Sequence, residues 1–265
     1  MRGRLPGTLS CHIHGGDDEV LFEDIKNGDL SGWAHKKGAR KVRKSAEQAF
    51  FDGLDWIWID TLCIDKSSSA ELSEAINSMF KWYNCSALCY AYLFDVRGKK
   101  GSSIKGCRWL SRGWTLQELI APESVHFYDE HWRFIGTRND LAGEIESITG
   151  IDHVLLYNYD DENEGKSDSS FRPTPSRPKT AVQDILASLS VASRMFWASS
   201  RQTTRSEDAA YCLMGLFNVN MPLLYGEGKK SFARLQDEII KVSTDTSILA
   251  FTASTRRLRS VLVSD

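Results

Sequence analysis

The sequence lacks an excess of charge of one sign and has no long apolar run. Its 265 residues carry 33 Lys and Arg against 35 Asp and Glu, a formal net charge of −2. This balance provides no overall basic field, so we expect no nucleic-acid partner. No apolar run approaches the roughly 20 residues that a helix needs to cross a bilayer. We therefore expect no membrane span and a soluble, cytoplasmic protein.

Cysteine is present, but not in the spacing of a metal site or a disulfide framework. There are six cysteines and no C-x-x-C pair, and the N-terminal residues lack the apolar segment of a secretory signal. We therefore expect free thiols in a reducing compartment, with no metal and no cofactor. The hydrophobic fraction of 42% is enough for one large domain with a buried core.

Strand and helix patterns alternate through the first half of the chain. A short strand near Leu9 precedes a Gly-rich turn, and residues 56–59 form the strongest strand pattern, apolar on both faces and therefore expected at the centre of a sheet. Residues 87–94 predict a further strand, and residues 125–128 another, with residues 132–135 as its candidate partner. This order predicts an α/β fold, a parallel sheet wrapped by helices.

Helices are predicted where apolar residues recur at intervals of three and four. The basic run 36–44 predicts an amphipathic helix with a solvated basic face. The apolar residues at helical spacing along this segment are Val42, Ala46, Ala49 and Phe50. Ser69, or Ser68, can cap a second helix that begins near Ala70.

The second half of the chain contains a polar loop followed by helices. Residues 160–178 are rich in Asp, Glu, Ser, Gly and Pro, which predicts a mobile loop. Thr204 and Glu207 have the spacing of a capping box, and residues 230–241 carry an apolar face. Arg194, Arg201 and Arg205 either form an anion-binding patch or, as we expect, pair with Glu207, Asp208 and the acidic loop. Residues 226–231 resemble a phosphate-binding loop but lack its upstream glycine and the Ser or Thr directly after the first lysine.

Carboxylates follow two of the predicted strands, where ligands of open α/β sheets bind. Asp60 ends the strongest strand, with Asp65 close behind, and Asp95 ends the next one. Each is either a binding residue or a turn and capping residue. Cys63 lies beside Asp60, but no basic partner is indicated, so a packed thiol is favoured over a nucleophile. In the first strand-to-turn segment, His12 is a candidate ligand contact.

The segment that begins at Ser111 contains the most candidate chemistry. Ser111 is a good N-cap, which would place Arg112 and the following amides at a positive helix end that favours a phosphate or carboxylate. Trp114 and Glu118 are four residues apart and would share one face of the helix. In a partly desolvated cleft, such a glutamate should have a raised pKa suited to acid–base work. The alternative is an exposed helix glutamate.

Three blocks of the sequence resemble those of the fungal HET (heterokaryon incompatibility) domain: residues 58–66, 71–79 and 112–118. The resemblance spans residues 9–135 and is followed by a connecting segment, 136–179. Residues 195–228 resemble the helical extension that commonly follows HET domains, here assigned to residues 180–251. The chain departs from the family pattern at its first strand, where His14 stands in place of the expected tryptophan.

The resemblance implies a TIR-like (flavodoxin-like) fold and a role in programmed cell death, because HET domains are similar to TIR domains. In TIR enzymes that hydrolyse NAD+, a glutamate four residues after a tryptophan is catalytic, which implies Glu118 here. NAD+ is the candidate substrate. The residues expected to bind it are Arg112, Trp114, Asp60, Cys63, Asp65, His12 and Asp95. The family also implies self-association into oligomers and an upstream sensor or NTPase module. The alternative is a non-enzymatic adaptor that acts through homotypic association.

Overall fold

Five short strands form a single sheet in the order β2-β1-β3-β4-β5 in a computed structural model, which describes residues 7–11, 18–26, 32–157 and 181–249. The first four strands are mutually parallel, and β5 runs antiparallel to β4. Their bounds are β1 Gly7–Cys11, β2 Ile57–Ile59, β3 Cys89–Tyr92, β4 Val125–Tyr128 and β5 Phe134–Thr137. The predicted mixed α/β architecture is confirmed, with helices as the more abundant element.

The helices are mostly short. They are α1 Phe22–Ile25, α2 Gly38–Phe51, α3 Asp60–Cys63, α4 Ser69–Cys85, α5 Thr115–Ile120, α6 Ala142–Thr149, α7 His153–Leu156, α8 Ala181–Ser188, α9 Val191–Ala198, α10 Asp208–Tyr211, α11 Met214–Phe217 and α12 Lys230–Val242, with a 3-10 helix at Arg108–Ser111. Ser68 is the cap of α4, since its hydroxyl accepts the backbone N–H of Glu71. In the part of the chain that the structure describes, none of the helices has the combination of length and apolar character that crossing a bilayer requires.

The two faces of the sheet carry different layers. Side chains of β3 alternate, so that Cys89 and Ala91 pack with α4, α5 and the helices after residue 181 in the larger core, while Tyr90 packs beneath α2 in a smaller one. This alternation follows from the two-residue repeat of a strand. The region between α4, α5 and the C-terminal helices therefore contains most of the buried apolar volume.

The expectation that the strongest strand is central is wrong. β2 lies at the edge of the sheet, where it pairs with β1. It is apolar on both faces because both are covered by helices. Trp58 packs edge-on against Trp82 and Tyr83 of α4, with ring centroids 5.4 and 5.7 Å apart, and Ile59 belongs to the smaller core.

Helix α2 is rotated about its axis relative to the prediction, so that a different side of the helix packs on the sheet. Ala49 is buried as predicted, but Phe50 and Ala46 are exposed, and Lys41 is buried rather than solvated. Lys41 can lie inside because its ammonium contacts the Glu19 carboxylate at 3.0 Å. The helix also approaches the preceding segment closely at Gly38, where a Cβ atom would lie 3.0 Å from the Asp18 carbonyl oxygen.

The predicted capping box at Thr204 is wrong, because α10 begins at Asp208. The Glu207 carboxylate instead accepts the backbone N–H groups of Gly226 and Gly228 at 2.8 and 2.9 Å. These hydrogen bonds, that of Gly228 foremost, lower the pKa of Glu207 to about 2. The loop that resembled a phosphate-binding loop thus presents its amides to an anion of the same chain.

Among the described residues, the buried Arg194 and Arg201 form no ion pair with an acidic residue, whereas pairing was predicted; the acidic loop lies outside these residues. Arg194 donates to the Leu216 carbonyl at 3.0 Å and lies over the Phe217 ring. In α12, Leu235 and Ile239 are buried as predicted, whereas Ile240 is exposed. The predicted loop at residues 160–178 lies outside the described residues.

Helix α11 packs closely on α4, and this packing depends on Gly215. A Cβ atom at Gly215 would lie 2.2 Å from the Phe80 Cβ. We expect Gly215→Ala to lower the free energy of unfolding by about 1–3 kcal/mol, because overpacking forces the two helices apart. Urea denaturation followed by circular dichroism measures this change.

The matched control is Gly143→Ala in α6, where a Cβ atom meets nothing within 4 Å. This substitution should be neutral or stabilising by up to about 1 kcal/mol, since alanine favours helix over glycine. Equal effects of the two substitutions would contradict the close packing of α11 on α4.

Candidate functional site

The backbone around Arg112 is fixed by hydrogen bonds within the chain. Ser111 ends the 3-10 helix, and its hydroxyl donates to the Arg108 carbonyl, so its predicted role as an N-cap is wrong. The amide of Arg112 donates to the Trp109 carbonyl and that of Gly113 to the Gln202 carbonyl at 2.9 Å. Carbonyl groups of the chain itself therefore occupy these two amides, which are not available to an anion.

Glu118 lies in the protein interior, which excludes the exposed alternative. Its residue is 8% exposed, and every residue of the six-residue helix α5 is buried. The Glu118 carboxyl group interacts with the hydroxyl of Tyr83 in α4, and the Tyr83 side chain is also buried. The carboxyl oxygen Oε2 has no hydrogen-bond partner of ordinary length among the described residues. A buried carboxyl oxygen without a partner is energetically costly when it is charged.

Burial foremost, and next the negative charge of Asp60, raise the pKa of Glu118 to about 8. The Tyr83 hydrogen bond and the positive charges of Arg112 and Arg201 act in the opposite direction but do not compensate. The predicted direction is confirmed. The Trp114 side chain hydrogen-bonds Asp208. At neutral pH most Glu118 side chains therefore carry a proton.

Asp60 reaches this site because α3 begins directly at the carboxyl end of β2. It is the first residue of α3, and its carboxylate lies 3.5 Å from the Lys66 ammonium. Parallel strands direct their carboxyl ends to one edge, where the sequence predicted a crevice. The structure thus brings Asp60 and Glu118, two predicted site residues, close enough for their charges to interact.

Two arginines complete the group around Glu118. Burial lowers the pKa of Arg112, and its Nε has no hydrogen-bond partner among the described residues. Arg201, which follows α9, is 6% exposed, and burial lowers its pKa to about 10. Its Nη1 donates to the Arg112 carbonyl at 2.9 Å and to the Thr115 hydroxyl at 3.0 Å, while Nη2 has no partner there.

The sequence did not predict Arg201 or Tyr83 as members of this site. Tyr83 is indicated only by its position on the buried face of α4, which is equally typical of core packing. Arg201 lies 83 positions beyond Glu118 in the chain. It was expected to pair with acidic residues, and only the fold shows that it enters from the C-terminal helices.

The remaining candidates have structural roles or lie elsewhere. Asp65 accepts the Ser67 N–H and hydroxyl, which lowers its pKa, and exposed Asp95 accepts the Arg108 N–H at 2.8 Å. Cys63 is exposed as a residue, so the packed thiol is not observed. Its sulfur lies 3.5 Å from the Ile59 amide, and partial burial of the sulfur raises its pKa away from thiolate. His12 lies outside the described residues.

Three buried polar atoms without partners therefore belong to one group: Oε2 of Glu118, Nε of Arg112 and Nη2 of Arg201. A polar, anionic molecule could satisfy both guanidinium N–H groups, and the protonated carboxyl can donate a hydrogen bond or a proton. This set is suited to binding a polar ligand and to acid–base chemistry.

The raised pKa of Glu118 makes stability depend on pH. Between the ordinary value of 4.5 and about 8, the folded chain retains a proton that the unfolded chain has lost. The free energy of unfolding should therefore fall as pH rises through this window, by at most about 1.4 kcal/mol per pH unit, and level off above it. Glu118→Gln, which remains neutral, should lose this dependence. Denaturation series from pH 5 to pH 9 test this, and identical slopes for both proteins would contradict it.

Comparison with known proteins supports the resemblance noted in the sequence. The family profile described as Heterokaryon incompatibility protein (HET) matches residues 29–105. The vegetative incompatibility protein HET-E-1 of Podospora anserina is 42% identical to the chain over 251 residues, which cover 90% of this chain and 16% of that protein. The chain thus spans about a sixth of its curated relative.

No solved structure matches the chain significantly. The sequence similarity nevertheless includes Asp60 and the block that surrounds it, and it extends through nearly the whole chain. On this evidence the chain belongs to the HET (heterokaryon incompatibility) family and is homologous to HET-E-1.

Proposed function

We propose that this chain is a cell-death effector module of fungal heterokaryon incompatibility that hydrolyses NAD+ when assembled. The observation that carries the proposal is the buried Glu118 carboxyl, with its raised pKa, beside two guanidinium groups that have unpartnered N–H groups. The family assignment and the name of the relative support the incompatibility role.

The strand order supports a TIR-like fold. The order 2-1-3-4-5 with parallel β1 to β4 is that of flavodoxin-like sheets, and the antiparallel β5 is the one departure. We propose residues 9–135 as the TIR-like domain, 136–179 as a connection and 180–251 as a helical extension packed on it. The bridge between Arg112 and Gln202 supports this packing.

The reaction we propose breaks the bond between the nicotinamide nitrogen and the ribose carbon. Nicotinamide leaves with the bonding electrons, the ribose becomes oxocarbenium-like, and water adds to it and releases a proton. The positive charge of bound nicotinamide would lower the pKa of Glu118 and so favour its carboxylate next to the ribose. That carboxylate would stabilise the positive transition state, while Arg112 and Arg201 would bind the pyrophosphate.

Self-association is part of the proposal, and so is control by an upstream sensor or NTPase module. The relative is about six times longer than this chain. Regions outside the matched part of such a protein would supply the signal that brings several copies together. The isolated chain at low concentration should then have little turnover.

Release of nicotinamide from NAD+ by concentrated protein tests the enzymatic proposal. Wild type should turn over, and Glu118→Gln should lose about a hundredfold or more, because the charge that stabilises the transition state is removed. Glu74→Gln makes the same chemical change at an exposed position of α4 and should leave turnover unchanged.

Absence of turnover at every concentration, together with cell killing by the Glu118→Gln variant, would contradict the enzyme and favour a non-enzymatic adaptor. Circular dichroism of both variants confirms that they are folded. Loss of killing without any detectable turnover would likewise count against NAD+ as the substrate.

A further inference from the structure

The solvent-facing side of α2 carries a cluster of cations around a surface cavity. The cavity has a volume of about 310 Å³, and its charged lining consists of Lys36, Lys37, Arg40, Arg43, Lys44 and Glu47. It lies apart from Glu118, on the other side of the sheet from α4 and α5. The proposed NAD+ chemistry does not use it.

The charges of this cluster are only partly neutralised. Lys36, Lys37 and Lys44 form ion pairs with Asp24, Asp18 and Glu47. Arg43 donates to the neutral Ala34 carbonyl, and Arg40 has no ion pair among the described residues. The two arginines therefore leave net positive charge at the cavity, and the exposed lysine pairs are weak enough to exchange partners.

Aromatic side chains follow these cations at the end of the same helix. Phe50 and Phe51 are 86% and 81% exposed, and Trp56, in the turn after the helix, is 72% exposed. Residues seven positions apart lie on one side of a helix, so Phe50 is aligned with Arg43, and Phe51 with Lys44. Three large aromatic rings exposed to water indicate a surface that binds a lipid layer or another molecule.

We propose that this face of α2 docks on an anionic lipid surface. Cations and rings are separated along the helix by two turns, about 10 Å, which matches the depth between headgroup phosphates and the acyl boundary. Arg40 and Arg43 would contact lipid phosphates, with one headgroup in the cavity, while Phe50, Phe51 and Trp56 enter the interface.

Two other occupants fit this surface less well. A second copy related by a twofold axis would place the uncompensated arginines of both copies against each other. Single-stranded nucleic acid would stack its bases on rings interleaved with cations, whereas here the rings follow the cations. The charge complementarity therefore favours anionic lipid.

Vesicle co-sedimentation tests the proposal with the complete chain. Wild type should bind vesicles of phosphatidylcholine with phosphatidylserine about tenfold or more tightly than vesicles of phosphatidylcholine alone. The double variant Phe50→Ser, Phe51→Ser should lose about tenfold in affinity for the mixed vesicles. Arg40→Glu with Arg43→Glu should abolish the preference for phosphatidylserine.

The matched control is Ile240→Ser with Val242→Ser, which removes exposed apolar side chains from α12 and should leave vesicle binding unchanged. All altered residues are exposed, and thermal melting confirms that each variant is folded. Glycerophosphoserine, which has the headgroup of phosphatidylserine but no acyl chains, should compete only weakly with the vesicles, because the aromatic rings need a lipid interface.

Four results would overturn the proposal. These are wild-type binding that is equal for both vesicle types, aromatic variants that bind like wild type, tighter binding to single-stranded DNA than to vesicles, and a dimer of wild type that the aromatic substitutions dissociate. The last would make this face an interface between copies.

Discussion

A buried carboxyl group that forms no salt bridge among the described residues constrains the centre of this structure. Among the described residues, Oε2 of Glu118 has no hydrogen-bond partner, and the nearby charge of Asp60 opposes ionisation of the carboxyl group. Charging such a group costs free energy, so the fold accommodates it as the neutral acid. The elements around it follow this constraint, because α4, α5 and the start of α3 all contribute to its enclosure.

The C-terminal helices take part in the same enclosure. Arg201 hydrogen-bonds the Arg112 carbonyl and the Thr115 hydroxyl, so it fixes the turn from which α5 starts. Gln117, next to Glu118, donates to the Cys212 carbonyl at 2.7 Å. The candidate site is therefore built by residues 60–118 together with Arg201 from the second half of the chain. The helical extension thereby has a role in the proposed chemistry.

Local signals in the sequence predicted the features that depend on neighbours in the chain. The Ser68 cap, the strands at Cys89–Tyr92 and Val125–Tyr128 and the buried Leu235 follow from capping chemistry and periodicity. Predictions failed where a distant partner decides the outcome. Lys41 is buried because Glu19 neutralises it, and Ser111 is not an N-cap because Gly113 bonds Gln202.

The candidate site, like the fold, was predicted from the sequence only in part. The spacing in the sequence selected Glu118, Asp60 and Arg112, and the structure brings these three together. Asp65 and Asp95 instead bond backbone amides of nearby loops. Nothing in the local pattern distinguishes an aspartate that ends a strand beside a site from one that closes a turn. Which aspartate faces Glu118 is set by the packing of α3 and α5.

The protonated state of Glu118 links the fold to the proposed activity, because burial keeps the carboxyl neutral and a cationic substrate would favour its ionisation. The most direct test is a carbon-13 NMR titration of the glutamate carboxyl groups, with Glu118 assigned from the spectrum of Glu118→Gln. We expect a Glu118 pKa of about 8 in the free protein. A value near that of the exposed glutamates would show that the carboxyl is solvated and would contradict its protonation at neutral pH.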